Sequence, residues 1–115
     1  MTCVNTLLGL AYDPDSLATT LGVGGGGYSG RAIHPVAVRA VHDVHAALPD
    51  LPIIGVGGVA SGWDAVEMFL AGASAVQVGT ASFANPRAAA NVQCELVNWA
   101  AERGIARVAD LSALV

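Results

Sequence analysis

The chain has 115 residues, of which 54% are hydrophobic and 12% charged, with a formal net charge of −4. Its cations are five arginines and no lysine, too few for the cationic surface that grips nucleic acid without regard to sequence. Every apolar run is broken by a charged, polar or glycine residue before it reaches the length of a membrane span.

So apolar a chain of this size is expected either to cover surface by self-association, as a homo-oligomer, or to be a piece against which more protein packs. The N-terminus, MTCVNTLLGL, has no basic segment and carries Asn5 in its middle, so no secretory leader is expected and the cytoplasm is the default compartment. Cys3 and Cys94 stand far apart with no metal-ligand spacing around them. Both are expected as small, buried, unpaired thiols, and no metal site is expected.

In chain order, Met1 to Thr6 reads as the end of a strand. Residues 7–33 show little periodicity, with a turn at Asp13-Pro14-Asp15 and four glycines at Gly24 to Gly27, and are read as a long loop. Pro35 suits the first turn of a helix, whose apolar residues follow at Val38, Val41, Val44 and Leu48 until Pro49-Asp50 stops it. The run LPIIGVGGV predicts a strand buried on both faces. Ser61 with Asp64 three residues on forms a capping box for the next helix, which has Val66, Phe69 and Leu70 as its stripe and Gly72 past its end. SAVQVGT predicts another buried strand. Asn85-Pro86 opens a last helix with Val92, Leu96 and Trp99 on one face and Gly104 as its stop, leaving 105–115 as a C-terminal extension. Strands alternating with helices in this order predict a single α/β domain with parallel strands and right-handed crossovers.

In such folds ligands sit at the carboxyl ends of the strands. Those ends read Asn5-Thr6, Gly55 to Val59 and Val78 to Thr80, and the long loop brings Gly-Gly-Tyr-Ser-Gly to them. Gly57-Gly58 and Gly79-Thr80 leave backbone N–H groups unshielded, a pattern that favours an anion and phosphate above all. Each glycine pair alone is what a tight turn needs, and the four-glycine run alone fits a mobile loop. Their joint placement at three neighbouring strand ends predicts a phosphate or cofactor site. No Gly-x-Gly-x-x-Gly follows a strand, so the dinucleotide fingerprint is absent.

The segments VNTLLGL, GGYSGRAIHPVAVRAVHDV and LPIIGVGGVASGWDAVEMFLAGASAVQVGTASF together resemble the C-terminal part of the dihydroorotate dehydrogenase family, from Thr2 to Phe83. NTLLGL and VGTASF are closer to its soluble class than to its quinone-linked one. The resemblance implies an FMN-containing (β/α)8 TIM barrel that oxidises dihydroorotate to orotate in pyrimidine (UMP) biosynthesis, here represented by its sixth to eighth strands and their helices. It implies substrate contacts from Asn5 and Thr6. Val4 would lie against the flavin, Gly30 would approach it, and Gly57, Gly58, Gly79 and Thr80 would hold its phosphate and ribityl end. The family's catalytic base, a Cys or Ser on a loop from an earlier strand, and its flavin-side lysine have no counterpart here, so no catalytic residue is assigned and turnover by this chain alone is not expected. Cys3 lies one pleat below the strand end and is not expected to serve as the base. The three histidines, His34, His42 and His45, are expected at surface or partly buried helix positions. Tyr28 and Arg31 depart from the family pattern, which has a smaller aliphatic residue and often Pro at these places.

An electron-transfer subunit is a further partner that the resemblance implies for an intact member. Two other readings stay open at this point. One is a non-enzymatic remnant that binds flavin or phosphate weakly; the other is a piece of a related flavin barrel such as that of dihydropyrimidine dehydrogenase.

Overall fold

The computed structural model describes residues 1–115. Strand β1 (Thr2–Cys3) is followed by a two-stranded ribbon, β2 (Leu7–Gly9) with β3 (Gly26–Tyr28), and by helix α1 (His34–Ala47). Then come β4 (Ile54–Val56), α2 (Gly62–Leu70), β5 (Ala75–Gln77), the short α3 (Ala81–Ala84) and α4 (Ala88–Glu102). A 3-10 turn precedes α1 at Arg31–Ile33, and another, Val108–Leu114, ends the chain.

The main sheet has the order β1-β4-β5 and all its pairs are parallel, with Cys3 opposite Gly55 and Gly55 opposite Val76. α1 and α2 are the crossovers that parallel pairing demands. Their apolar residues meet the sheet in one core built on Ala37, Val41, Ile53, Ala65, Met68 and Phe69, joined by Val92 and Leu111. Gly55 lets α2 lie directly on the strand, since a Cβ there would meet Met68 Sδ at 2.9 Å. Met68 is fully buried, so truncating it to Ala would cost about 2–5 kcal/mol.

The strands are not buried on both faces, as the continuous apolar runs suggested. Ile53 and Gly55 are buried under the helices, but Ile54 is 41% exposed and Ala75 and Gln77 are exposed on β5. The period of two sends alternate side chains away from the helices, and no second layer of this chain covers that face.

α2 forms where its capping box is complete: Ser61 Oγ accepts from Asp64 N–H and Asp64 Oδ2 accepts from Ser61 N–H. Val66 and Phe69 are buried as the stripe requires, Leu70 only partly, and Gly72 takes φ +105 just beyond the helix. α4 crosses α2 at Gly62, where a Cβ would meet Glu95 Cβ at 2.5 Å. Trp63 and Trp99 meet across this junction with centroids 6.1 Å apart and ring planes tilted by 57°, and Arg103 lies over the Trp99 ring at 4.5 Å.

The segment read as an aperiodic loop is an antiparallel arm. β2 and β3 pair Leu8 with Gly27 and Gly9 with Gly26, and further bridges join Tyr12 to Thr19 and Leu21 to Gly24. The glycines hide this strand from any period, yet they allow the pairing: a Cβ on Gly25 would meet Gly9 O at 3.0 Å, and one on Gly27 would strike the Thr6 side chain. The arm projects, with Leu8 97% and Val23 92% exposed. The molecule is accordingly elongated, 55 × 33 × 18 Å with a radius of gyration of 16.2 Å, against about 13 Å for a compact chain of this length.

Candidate functional site

The carboxyl ends of β1, β4 and β5 point the same way because the strands are parallel and in register. The Val4 N–H donates to Val56 O at 2.7 Å, which extends β1 to the point where Asn5 and Thr6 leave the sheet. Beyond β4 the chain turns through Gly57 (φ +138) and Gly58 (φ +68), and Gly30 (φ +91) comes in from the arm. Together these segments line a cleft of about 150 Å³ bounded by Val4, Asn5, Thr6, Gly30, Gly57, Gly58, Gly79 and Thr80, with Ser29, Ile33 and Val56. All eight residues singled out from the sequence meet there. A second cleft of about 340 Å³ shares Gly30, Gly58, Gly79 and Thr80 with the first and adds Arg31, Val59, Ala60, Ala81 and Ala84. The second cleft alone has the volume of a small-ligand site.

The glycines serve different ends. At Gly57 a Cβ would meet Ala37 Cβ at 2.5 Å, and at Gly58 it would meet Gly30 O and His34 Cβ, each at 2.8 Å. These two are glycine because α1 and the arm close on the turn. Gly79 is the opposite case: a Cβ there would meet nothing within 4 Å and would stand in open space at the cleft.

Backbone donors decide what the clefts can hold. The N–H groups of Gly57, Gly58, Val59, Gly79 and Thr80 donate to no atom of the protein. The start of α2, a place where a helix can seat an anion, is already occupied by the chain's own carboxylates. Asp64 Oδ2 accepts from Ala60 and Ser61 N–H at 2.9 and 2.8 Å, and Glu95 Oε2 accepts from Gly62 N–H at 2.6 Å. An anion would therefore be met by the two glycine turns and not by the α2 terminus. Unpartnered amides at Gly57, Gly58, Gly79 and Thr80, with no Cβ on three of them, are a donor set suited to a phosphate group.

Arg31 and Ser29 are cleft residues that the sequence reading did not assign. Arg31 is exposed, lines the larger cleft and forms no ion pair, whereas Arg39, Arg103 and Arg107 each lie beside an acid. Its departure from the family's Pro was the available signal. Ser29 Oγ accepts from Thr80 Oγ1–H at 2.9 Å, tying the arm to the tip of β5. Asn5 Oδ1 accepts from Thr6 N–H at 2.8 Å, which leaves the amide N–H₂ of Asn5 free of protein partners.

Two expectations about lone residues need correction. Cys3 is buried in the core as expected, but Cys94 is exposed, because α4 turns it away from Val92. His34 is buried, only 7% exposed, deeper than the surface or partly buried position expected of it. Its Nδ1 is 2.8 Å from Gly57 O and its Nε2 3.3 Å from Glu67 Oε2. Burial would push the nearby Asp64 carboxyl up; the Ala60 N–H, the Ser61 hydroxyl, the positive charge of His34 and the Ser61 N–H together hold it below its usual range.

Residues 1–99 match the family profile described as "Dihydroorotate dehydrogenase". The chain belongs to the dihydroorotate dehydrogenase family. Among its relatives, the "Dihydroorotate dehydrogenase B (NAD(+)), catalytic subunit" of Pelobacter propionicus is 49% identical over 111 residues, 96% of this chain and 36% of that protein. The "Putative dihydroorotate dehydrogenase A (fumarate)" of Pediococcus pentosaceus is 53% identical over 85 residues, 74% of this chain and 28% of that protein. A crystal structure of DHODH from Eimeria tenella in complex with ferulenol superimposes with a TM-score of 0.77 at 33% identity, covering 96% of this chain and 29% of that one. The chain thus spans about a third of the length of these relatives. Its α/β fold is the C-terminal part of the dihydroorotate dehydrogenase (β/α)8 barrel, with β1, β4 and β5 as strands six, seven and eight. No helix is long and apolar enough to cross a membrane.

Proposed function

We propose that this chain forms the FMN-phosphate cradle and part of the substrate wall of a cytoplasmic dihydroorotate dehydrogenase, an oxidoreductase of pyrimidine biosynthesis. One observation carries the reading: unpartnered backbone amides from two glycine turns converge at adjacent strand tips beside an unpaired arginine. Gly57, Gly58, Gly79 and Thr80 would hold the phosphate and ribityl end of FMN, with Gly30 and Val4 against the flavin. When bound, FMN supplies the two-electron acceptor for dihydroorotate oxidation.

The chain's own residues bind and orient. Asn5 directs its free amide N–H₂ to a ring carbonyl or carboxylate of the pyrimidine, and Thr6 adds a hydroxyl. No base is assigned: Cys3 is sealed in the core, and His34 is committed to Gly57 and Glu67. The relatives named as catalytic subunits motivate a partner subunit as electron carrier. The uncovered face of the sheet motivates a second copy of the chain as a further partner.

Fluorescence titration of the chain with FMN and with riboflavin tests the cradle. FMN is expected to bind more than tenfold tighter, since hydrogen bonds to a charged group contribute about 1.5–3 kcal/mol each. Equal affinities, or no flavin binding at all, would refute it. Dihydroorotate added to the FMN-loaded chain is expected to reduce no electron acceptor; steady turnover would show that a base had been missed.

A further inference from the structure

Where α1 meets α2, three side chains of metal-binding type come together. His34 opens α1, while Asp64 and Glu67 stand three residues apart on α2 and so share one of its faces. One ligand atom of each residue lies within 4.8 Å of those of the other two. His34 Nε2 is 3.3 Å from Glu67 Oε2 and 4.0 Å from Asp64 Oδ1. The ring is more than nine-tenths buried, and both of its nitrogens face acceptors. Nδ1, 2.8 Å from Gly57 O, is where the proton of a neutral ring belongs, because a carbonyl only accepts. That hydrogen bond turns the Nε2 lone pair toward the two carboxylates, neither of which has a proton to offer it when ionised. A histidine that ligates a metal is oriented in this way, its other nitrogen donating to a backbone carbonyl.

The distances favour an ion at this point over a direct hydrogen bond. A charge-assisted N–H···O bond closes to about 2.7–2.9 Å, well inside the 3.3 Å found between His34 and Glu67. Two ligands on one zinc ion, each about 2.0–2.1 Å from it at a tetrahedral angle, stand about 3.3 Å apart. Asp64 is already oriented for the role: its Oδ2 accepts from Ala60 and Ser61 N–H at 2.9 and 2.8 Å, leaving Oδ1 to the cluster. Glu67 keeps 36% of its side chain exposed, so it has room to swing inward and gives an ion its way in from solvent.

Charge points the same way. Two carboxylates and a neutral imidazole balance a divalent ion. The chain has no lysine to serve instead, and Arg39 on α1 is held by Asp43 at 2.7 and 2.8 Å. We propose that His34, Asp64 and Glu67 bind a divalent transition metal, zinc above all, which clamps α1 to α2 and leaves a fourth position to water. One imidazole nitrogen among the donors suits zinc better than magnesium or calcium, which take oxygen ligands. A proton on Nε2 and the metal compete for one lone pair, so the cationic ring and the metal-bound ring exclude each other. The site is independent of the flavin cradle, and its test needs no flavin.

The full chain, with ¹⁵N-labelled histidine, is titrated with Zn²⁺ at one fixed, near-neutral pH and followed by NMR and calorimetry. One equivalent is expected to bind. It should move the Nε2 resonance of His34 while Nδ1 keeps its proton, and leave the rings of His42 and His45 as they were. Mg²⁺ at the same concentration should move none of them. Zn²⁺ at about a hundred times its Kd should raise the folding equilibrium about a hundredfold, read from urea unfolding.

Glu67→Ala, on the solvent side of the cluster, should weaken Zn²⁺ by at least the roughly tenfold that losing even an outer partner of a metal site costs. His42→Ala, at an exposed position of α1, should leave Zn²⁺ affinity unchanged. Zn²⁺ taken up at exposed His42 or Cys94 with the His34 ring unmoved would overturn the proposal. So would Mg²⁺ bound as well as Zn²⁺, a Glu67→Ala chain with undiminished affinity, or no binding at millimolar metal. The His34 resonance of the parent chain decides the site even where a variant does not fold.

Discussion

Gly58→Ala should damage the molecule far more than its single added methyl suggests. At φ +68 an alanine has left the regions open to side chains, at a cost of about 1–2 kcal/mol. Its Cβ would also stand 2.8 Å from Gly30 O, 2.8 Å from His34 Cβ and 3.0 Å from His34 N. Two of these three are backbone atoms, so no side-chain tip can swing aside; either the start of α1 or the root of the arm must shift. Overpacking of this kind adds about 1–3 kcal/mol. The sum, about 2–5 kcal/mol, is a large part of the total stability of a small domain. Urea unfolding followed by tryptophan fluorescence would measure it, with Gly79→Ala as the control. There the methyl meets nothing within 4 Å, so stability should change by less than about 0.5 kcal/mol while FMN affinity drops. A Gly58→Ala variant as stable as the parent would refute the packing described for the turn.

Three further outcomes are expected. Because the folded Asp64 carboxyl sits below its unfolded value, its contribution to stability is complete above about pH 4 and is lost as pH falls through the folded value. Asp64→Asn should flatten that acid limb and cost about 1 kcal/mol at neutral pH through the weakened cap, which thermal melts across the acid range would detect. Arg31→Ala should weaken FMN about two- to fivefold, in line with a solvated charge, leave riboflavin unchanged, and lose its effect in high salt. Sedimentation of the chain should show mass rising with concentration, less steeply for Leu8→Ser combined with Val23→Ser; a monomer at every concentration would contradict self-association.

The helices were legible because their signals are local. Pro35, the Ser61–Asp64 box and Gly72 each act within one turn, and the structure uses each as written. The strand tips were legible as a group, since parallel order alone turns Asn5-Thr6, Gly57-Gly58 and Gly79-Thr80 to one end. What escaped was long-range. Glu95 reaches Gly62 across 33 residues to occupy the α2 terminus, and nothing near either residue announces it. The arm escaped because a strand of consecutive glycines has no alternation to read. His34 looked like an ordinary helix position because its two partners, Gly57 and Glu67, are 23 and 33 residues away.

The arm has a consequence for how the cleft opens. No residue from Val4 to Ala32 is buried, so the wall that carries Ser29 and Gly30 has almost no apolar anchorage, while the facing wall belongs to the sheet. Detachment of that wall is a sub-global event and needs far less free energy than melting the sheet. A ligand touching both walls would staple them, adding its binding free energy to the cost of detachment. Occupancy would then register as slowed hydrogen exchange along β2 and β3, including at amides that touch no ligand.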